Sequence, residues 1–127
     1  MAQSTVYLAD YIDILGPDRY EEASRWYTDL GGAPSVVAVT MPRTEDEATL
    51  LGRAISVGAA VEHVLLAATE VGLGSCMITF SFWVRDELAA AFGVEDDRVI
   101  VGLIAVGYPG KAPEPPPHSP DVAVFRE

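Results

Sequence analysis

Residues 58–78 read GAAVEHVLLAATEVGLGSCMI, and the architecture of the chain follows from this stretch. Its first part belongs to a predicted long helix from about Thr49 to Val71, in which alanine and leucine dominate. The polar residues of that helix do not form one solvent-facing side, and apolar residues nearly encircle it. Such a helix is central to a fold or to an assembly. Gly72 and Gly74 end it.

Two strongly apolar segments on either side of this helix are predicted strands. Ser35–Met41 is short, rich in β-branched residues and bounded by Pro34 and Pro42. Its nearly continuous apolar character predicts burial on both faces. Arg98–Gly107 is a second strong strand. We interpret Ser75–Phe80, which lies between the long helix and this second strand, as a loop with apolar content.

Two shorter helices complete the predicted elements. The first begins near Pro17 and stops at Gly31, because glycine accepts the left-handed conformation that ends a helix. The second is predicted to be capped by Ser81 and to stop at Gly93. Their apolar positions are Tyr20, Ala23, Trp26 or Tyr27 and Leu30 in the first, and Val84, Leu88, Ala89 and Phe92 in the second. This order of elements fits an α+β or an α/β domain with few strands.

The C-terminal part is predicted to be an extended arm. Tyr108–Pro120 is too rich in proline for a helix or a central strand. Val122–Phe125 regains strand character, and we expect this strand to add to a sheet edge of another subunit. The alternative is a disordered tail. We therefore predict one domain over residues 1–127, with residues 111–127 as its C-terminal arm.

Composition limits the classes of partner. The chain has 127 residues and a formal net charge of −11, which argues against nucleic acid and anionic membranes because like charges repel. The single cysteine, Cys76, excludes an intrachain disulfide and favours a cytoplasmic location. No signal peptide is predicted at the N-terminus. The apolar stretch Ala54–Leu73 is interrupted by charged residues, so we predict no membrane span.

Familiar catalytic and metal-binding motifs are absent from the sequence. It contains no Gly-x-Gly-x-x-Gly, phosphate-binding loop, His-Glu-x-x-His or Cys-x-x-Cys, so we predict no metal site and assign no catalytic acid or base. His63 follows Glu62 on a crowded helix, which favours a satisfied polar group over a base. Cys76 has no basic neighbour in the sequence to stabilise a thiolate, which favours a packed residue over a nucleophile.

Three segments, in order, resemble the FMN-dependent nitroreductase family. Residues 58–78 are similar to its alanine-rich core helix and following Gly-Leu-Gly-Ser loop. Residues 101–109, VGLIAVGYP, resemble its last core strand, and residues 33–39, APSVVAV, resemble an earlier strand. The resemblance spans about residues 30–126. It implies an α+β fold with a small central sheet flanked by helices, a long buried interface helix, and a C-terminal arm that embraces a partner subunit.

The resemblance also implies an FMN site between subunits. In the family, the loop after Gly-Leu-Gly-Ser presents backbone groups to the flavin ring, where a backbone N–H can tune the ring. The matching residues here are Ser75, Cys76, Ile78, Thr79 and Phe80. The alternative is a simple connection between helices. The aromatic residues Phe80, Phe82 and Trp83 either line a substrate pocket or, as we favour, belong to the core.

One departure from the family concerns the flavin phosphate. The family binds it with N-terminal arginines, yet only Arg19 and Arg25 precede Ala33, so the chain resembles a truncated member. His118 stands near the position of a basic residue that follows the family's arm. A phosphate needs several donors or cations. We therefore expect FMN to be shared with a partner subunit.

Three functions remain open. The first hypothesis is that the chain is a subunit of an FMN-dependent oxidoreductase assembly, which a longer nitroreductase-like chain completes. Cyclic dipeptide oxidases, which dehydrogenate diketopiperazines, have such an arrangement. Alternatively it is a minimal homodimeric NAD(P)H-dependent FMN nitroreductase. The third hypothesis is a non-enzymatic structural or flavin-sequestering protein. The apolar helix predicts an obligate oligomer, formed with a longer chain or with itself.

Overall fold

The elements follow the predicted order closely. A computed structural model describes residues 17–79 and 84–110. Among them are the helices α1 (Pro17–Asp29), α2 (Glu47–Glu70) and α3 (Arg85–Phe92), and the strands β1 (Ser35–Pro42), β2 (Gly74–Ile78) and β3 (Arg98–Gly107). The predicted arm, the cap at Ser81 and the aromatic residues Phe80, Phe82 and Trp83 lie outside the described residues.

Glycines and one aspartate set the ends of the first two helices. After α1, Gly31 adopts a φ of 68°, and a Cβ atom there would lie 2.6 Å from Nε1 of Trp26, so only glycine fits without a shift. Asp46 precedes α2, and its Oδ2 accepts a 2.7 Å hydrogen bond from the backbone N–H of Thr49. Gly72 follows α2 with a φ of 78°. These boundaries agree with the sequence-based prediction.

The sheet has three strands in the order β1-β3-β2, and β3 runs antiparallel to both neighbours. The prediction of a loop at Ser75–Phe80 is therefore wrong over residues 75–78. There β2 pairs with the end of β3, from Gly74 opposite Gly107 to Ile78 opposite Leu103. The strand has only five residues, too few for a periodic pattern in the sequence, and its hydrogen-bonding partner is distant along the chain.

A β-bulge interrupts the pairing of β1 with β3. Val39 pairs with Gly102, and the next residue, Thr40, pairs with Ile100, which leaves Val101 without a partner on β1. The extra residue changes the side-chain alternation of β3. Ile100 and Leu103, three positions apart, can therefore both enter the same core cluster.

Helices cover both faces of the sheet. On one face, Ile100 and Leu103 pack in a core cluster with Leu30 from the turn after α1 and with Val84 and Leu88 around α3. On the other face, α2 packs against β1 and β2. The described chain is thus an α+β domain with a small central sheet between helices, as predicted.

Close approach of β2 to β3 requires a glycine at position 102. A Cβ atom on Gly102 would overlap Cε of Met77 and would lie 2.9 Å from the backbone oxygen of Ile78. Gly102 therefore leaves room for the Met77 side chain on the face that α2 covers.

The long helix α2 lies on the surface of the described chain. Val61 is its one buried residue, whereas Leu51, Ile55 and Leu66 are 63%, 65% and 59% exposed. Burial of α2 at an interface, as the resemblance implies, would require a further chain or segment and stays a prediction.

Edge strand β1 is also more exposed than its sequence suggests. Val37 is 48% exposed, although Ile104, its partner on β3, is only 1% exposed. The prediction that β1 is buried on both faces is therefore wrong for the described chain. β1 is an edge strand, and an apolar run alone does not reveal that its neighbours leave Val37 half exposed.

The length of α2 bears on the predicted absence of a membrane span. Among the described residues, α2 is the one helix long and apolar enough to cross a membrane, with a mean hydropathy of 1.5 in its most apolar window. Length and composition alone are weak evidence that a helix spans a membrane, because core helices of soluble proteins meet the same criterion. A cytoplasmic protein without a membrane partner stays our prediction.

The Asp46 cap makes the stability of α2 depend on pH. Hydrogen bonds from the side chain and backbone of Thr49 hold the pKa of the Asp46 carboxyl below its ordinary value of 3.8. A lowered pKa in the folded state stabilises the fold above pH 3.8, and this contribution disappears as the pH falls through the lowered pKa.

We therefore expect Asp46→Asn, which keeps a capping oxygen without the charge, to melt below the wild type at pH 7. The difference between the two melting temperatures should shrink as the pH falls below 4. Thermal unfolding followed by circular dichroism between about pH 2.5 and 7 measures it. A difference that stays constant over this range would contradict a role of the ionised carboxylate.

Candidate functional site

The predicted ring-side segment begins at the end of β2. Ile78 is only 3% exposed and packs in the core, so its side chain is not available to a ligand. Thr79 follows immediately, is exposed, and is the point at which the chain leaves the sheet. A planar ligand at this end of β2 could therefore meet backbone groups at Thr79. Phe80 lies outside the described residues.

Ser75 and Cys76 lie farther back along β2 and line a separate cavity of about 620 Å³. The structure thus divides the predicted site: Ser75 and Cys76 face this cavity, whereas Ile78 and Thr79 occupy the end of the strand. The cavity is bounded on its other sides by the turn after α1 and by the residues that follow β3. Cys76 is exposed, so the prediction of a packed cysteine is wrong for the described chain.

Among the described residues, no phosphate cradle lies in the cavity beside Ser75 and Cys76. The residues that line the cavity beside Ser75 include no lysine, arginine or histidine. On α1, Arg25 lies 3.9 Å from Glu21 with both side chains exposed. Within residues 17–79 and 84–110, the cavity beside Ser75 thus supplies no cationic side chain to a flavin phosphate.

His63 is a satisfied polar group, as predicted. Its Nδ1 lies 2.7 Å from the backbone oxygen of Ala59, one helical turn earlier, and donates a hydrogen bond to it. The described part of the chain also contains no group of three or more metal-ligating side chains. The structure therefore offers no reason to give His63 a catalytic role.

A second cavity, of about 670 Å³, was missed by the sequence analysis. It lies where β1 leads into α2, beside the beginnings of α3 and β3, and both Arg43 and Arg85 line it. Its residues come from separate segments, and no local motif marks them. Only the fold brings the two arginines to one cavity.

Comparisons with known proteins agree with this architecture. "Putative NAD(P)H nitroreductase YfhC" of Bacillus subtilis (strain 168) is 27% identical over 99 residues, which are 77% of this chain and 51% of that protein. The chain therefore spans about half the length of the curated relative it matches.

Two solved structures have a similar fold. The BluB-like flavoprotein from Clostridium difficile 630 has a TM-score of 0.68 at 20% identity, over 98% of this chain and 70% of that chain. The FMN and NADPH-dependent nitroreductase NfnB from Sphigopyxis sp. strain HMH has a TM-score of 0.69 at 18% identity, over 99% of this chain and 59% of that chain. The profile of the family described as Nitroreductase family matches residues 5–108. Since this match covers most of the sequence, the chain belongs to the nitroreductase family.

Proposed function

We propose that the chain is a subunit of an FMN-dependent oxidoreductase assembly, in which a longer nitroreductase-like chain completes the flavin site. The observation that carries this proposal is the exposure of α2. Leu51, Ile55 and Leu66 lie on one flank of the helix, because an α-helix turns by about 100° per residue. Apolar residues grouped on a surface in this way mark a site of association. A second chain against this flank would bury them.

The flavin part of the proposal rests on the end of β2. Thr79 is exposed there, and NfnB, whose fold is similar, is named as an FMN and NADPH-dependent enzyme. Bound FMN would supply the hydride or electron transfer. This chain would hold the ring through its backbone after Ile78. Ser75 and Cys76 would line the separate cavity farther back along β2, Phe80 would continue the ring contact, and the partner would bind the phosphate.

The reaction class that we propose within this frame is the dehydrogenation of cyclic dipeptides, as in cyclic dipeptide oxidases. The chain matches about half of its curated relative, and in the proposed assembly the longer chain would supply what the other half of such a protein provides. We expect the assembly to act in the cytoplasm. A homodimeric nitroreductase is the competing function, and the following experiment separates the two.

The test compares the full chain expressed alone with the same chain co-expressed with a longer nitroreductase-like protein encoded beside its gene. We expect the lone chain to be colourless and the co-purified complex to show flavin absorbance. A lone chain that is monodisperse and binds one FMN per subunit would favour the homodimeric nitroreductase. Failure of the two chains to co-purify would overturn the proposed assembly.

A pair of variants tests the ring contact within the complex. Thr79→Pro removes the backbone N–H, whereas Thr79→Ala removes only the side chain and serves as the matched control. We expect Thr79→Pro to weaken FMN binding by about tenfold or more, because a hydrogen bond to the ring is lost. Titration of the apoprotein complex with FMN, followed by flavin fluorescence, measures the affinity. Equal affinities for both variants would contradict the contact.

A further inference from the structure

Four arginines meet at one end of the sheet, which is unusual in a chain with a formal net charge of −11. Arg43 follows β1, Arg53 lies on α2, Arg85 begins α3 and Arg98 begins β3. In residues 17–79 and 84–110 the one ion pair joins Arg25 to Glu21, so none of the four has a carboxylate partner there.

Two of these arginines have a structural role. Arg98 donates from Nε to Oγ1 of Thr40 at 2.9 Å and from Nη2 to the Thr40 backbone oxygen at 3.2 Å. Arg53 donates from Nη1 to the backbone oxygens of Pro42 and Arg43 at 3.1 and 3.0 Å. These bonds tie the end of β1 to α2 and β3.

The other two arginines line the cavity of about 670 Å³ and keep donors free. Arg43 donates from Nε to the backbone oxygen of Asp96 at 2.9 Å, which fixes its guanidinium, and its terminal nitrogens bond to no described residue. Nε of Arg85 is buried and finds no acceptor in the described part of the chain. Buried polar groups in proteins are nearly always hydrogen-bonded, so this donor points to a missing acceptor.

The remaining walls indicate what kind of ligand would fit. Met41, Leu50 and the β3 segment 99–101 are apolar, whereas Thr44 and Glu45 are polar. A guanidinium binds carboxylate and phosphate oxygens in matching geometry. The carboxylate of Glu45 would repel a doubly charged phosphate more strongly than a singly charged carboxylate.

We propose that this cavity binds a small monocarboxylate with an apolar body, whose carboxylate is held by Arg43 and Arg85. The apolar walls from β1, α2 and β3 would cover the body of the ligand. The proposal needs neither flavin nor a partner chain, because every contributing residue belongs to the described part of this chain.

The test uses sodium benzoate as the probe on the full-length chain, at constant ionic strength, with binding followed by saturation-transfer NMR. We expect a dissociation constant of about a millimolar for benzoate. Benzamide, its neutral analogue, and inorganic phosphate should bind about tenfold more weakly or not at all. Equal binding of benzoate and benzamide would show that the arginines do not hold the carboxylate, and would overturn the proposal.

Charge-matched variants locate the binding. Arg85→Gln and Arg43→Gln should each weaken benzoate binding by about tenfold, whereas Arg19→Gln, an exposed position on α1, should leave it unchanged. Unchanged affinity in both cavity variants would refute the site. If Arg85→Gln does not fold, Arg85→Lys retains the charge without the planar guanidinium and should still weaken binding, and Arg43→Gln decides independently.

Discussion

Replacing Leu103 with alanine is expected to lower the free energy of unfolding by about 2–5 kcal/mol. Leu103 is 0% exposed, stands on the central strand, and packs in the core cluster that joins the sheet to α3. Its neighbours are held by pairing with β1 and β2, so the site can collapse only partly around the lost methyl groups. A domain of this size is stable by about 5–15 kcal/mol, so this loss is a large fraction of the total.

Urea unfolding at fixed protein concentration measures the effect, because association would also contribute to apparent stability. Ile100→Val serves as a graded control: it removes one methylene from a side chain that is 1% exposed and should cost about 1 kcal/mol. Val37→Ala, at an edge position that is 48% exposed, should cost less than about 1 kcal/mol. A Leu103→Ala variant as stable as Val37→Ala would contradict the assigned core.

The exchange of Ile55 for glutamate is expected to abolish association through α2. Ile55 is 65% exposed, between Leu51 and Leu66 on the same flank. A glutamate at the centre of a buried interface would lose its hydration without gaining a partner, and such substitutions weaken association by several kcal/mol. On the isolated chain the same change costs little, because position 55 faces solvent. The variant should therefore fold and fail to assemble.

Sedimentation velocity of this chain together with its longer partner, over a range of concentrations, distinguishes the assembly from the separate chains. Ser56→Glu, on another flank of α2 with its Oγ bonded to the backbone oxygen of Gly52, is the matched control and should assemble like the wild type. If Ile55→Glu assembles as well as Ser56→Glu does, the exposed flank is not the interface. Circular dichroism of both variants checks that α2 stays helical.

The elements that could be predicted from the sequence are those whose pattern is long and local. α2 and β3 have extended apolar patterns and clear ends, and both were found within a few residues. The prediction of a loop fails at β2, because five residues carry little pattern and the strand depends on a distant partner. The bulge at Val101 leaves no signature in the amino-acid types, since it arises from how two strands align.

The candidate site was predictable only in part for the same reason. The resemblance implies a site at Ser75, Cys76, Ile78, Thr79 and Phe80. The structure places Thr79 at an exposed end of β2, whereas Ser75 and Cys76 line another cavity. The pair Arg43 and Arg85 could not be found, because neither residue stands in a motif. Their proximity depends on the packing of α3 beside the beginning of β3.

The position of β3 has a consequence for synthesis of the protein on the ribosome. Within the described chain, β1 and β2 each pair with β3 and not with each other, and β3 is made last. No part of the sheet can form until Arg98–Gly107 has been translated, so β1 waits without a partner for roughly 3 to 13 s at about 5–20 residues per second. During that interval the nascent chain holds helices and unpaired strands, and the sheet is complete only once all ten residues of β3 have been made.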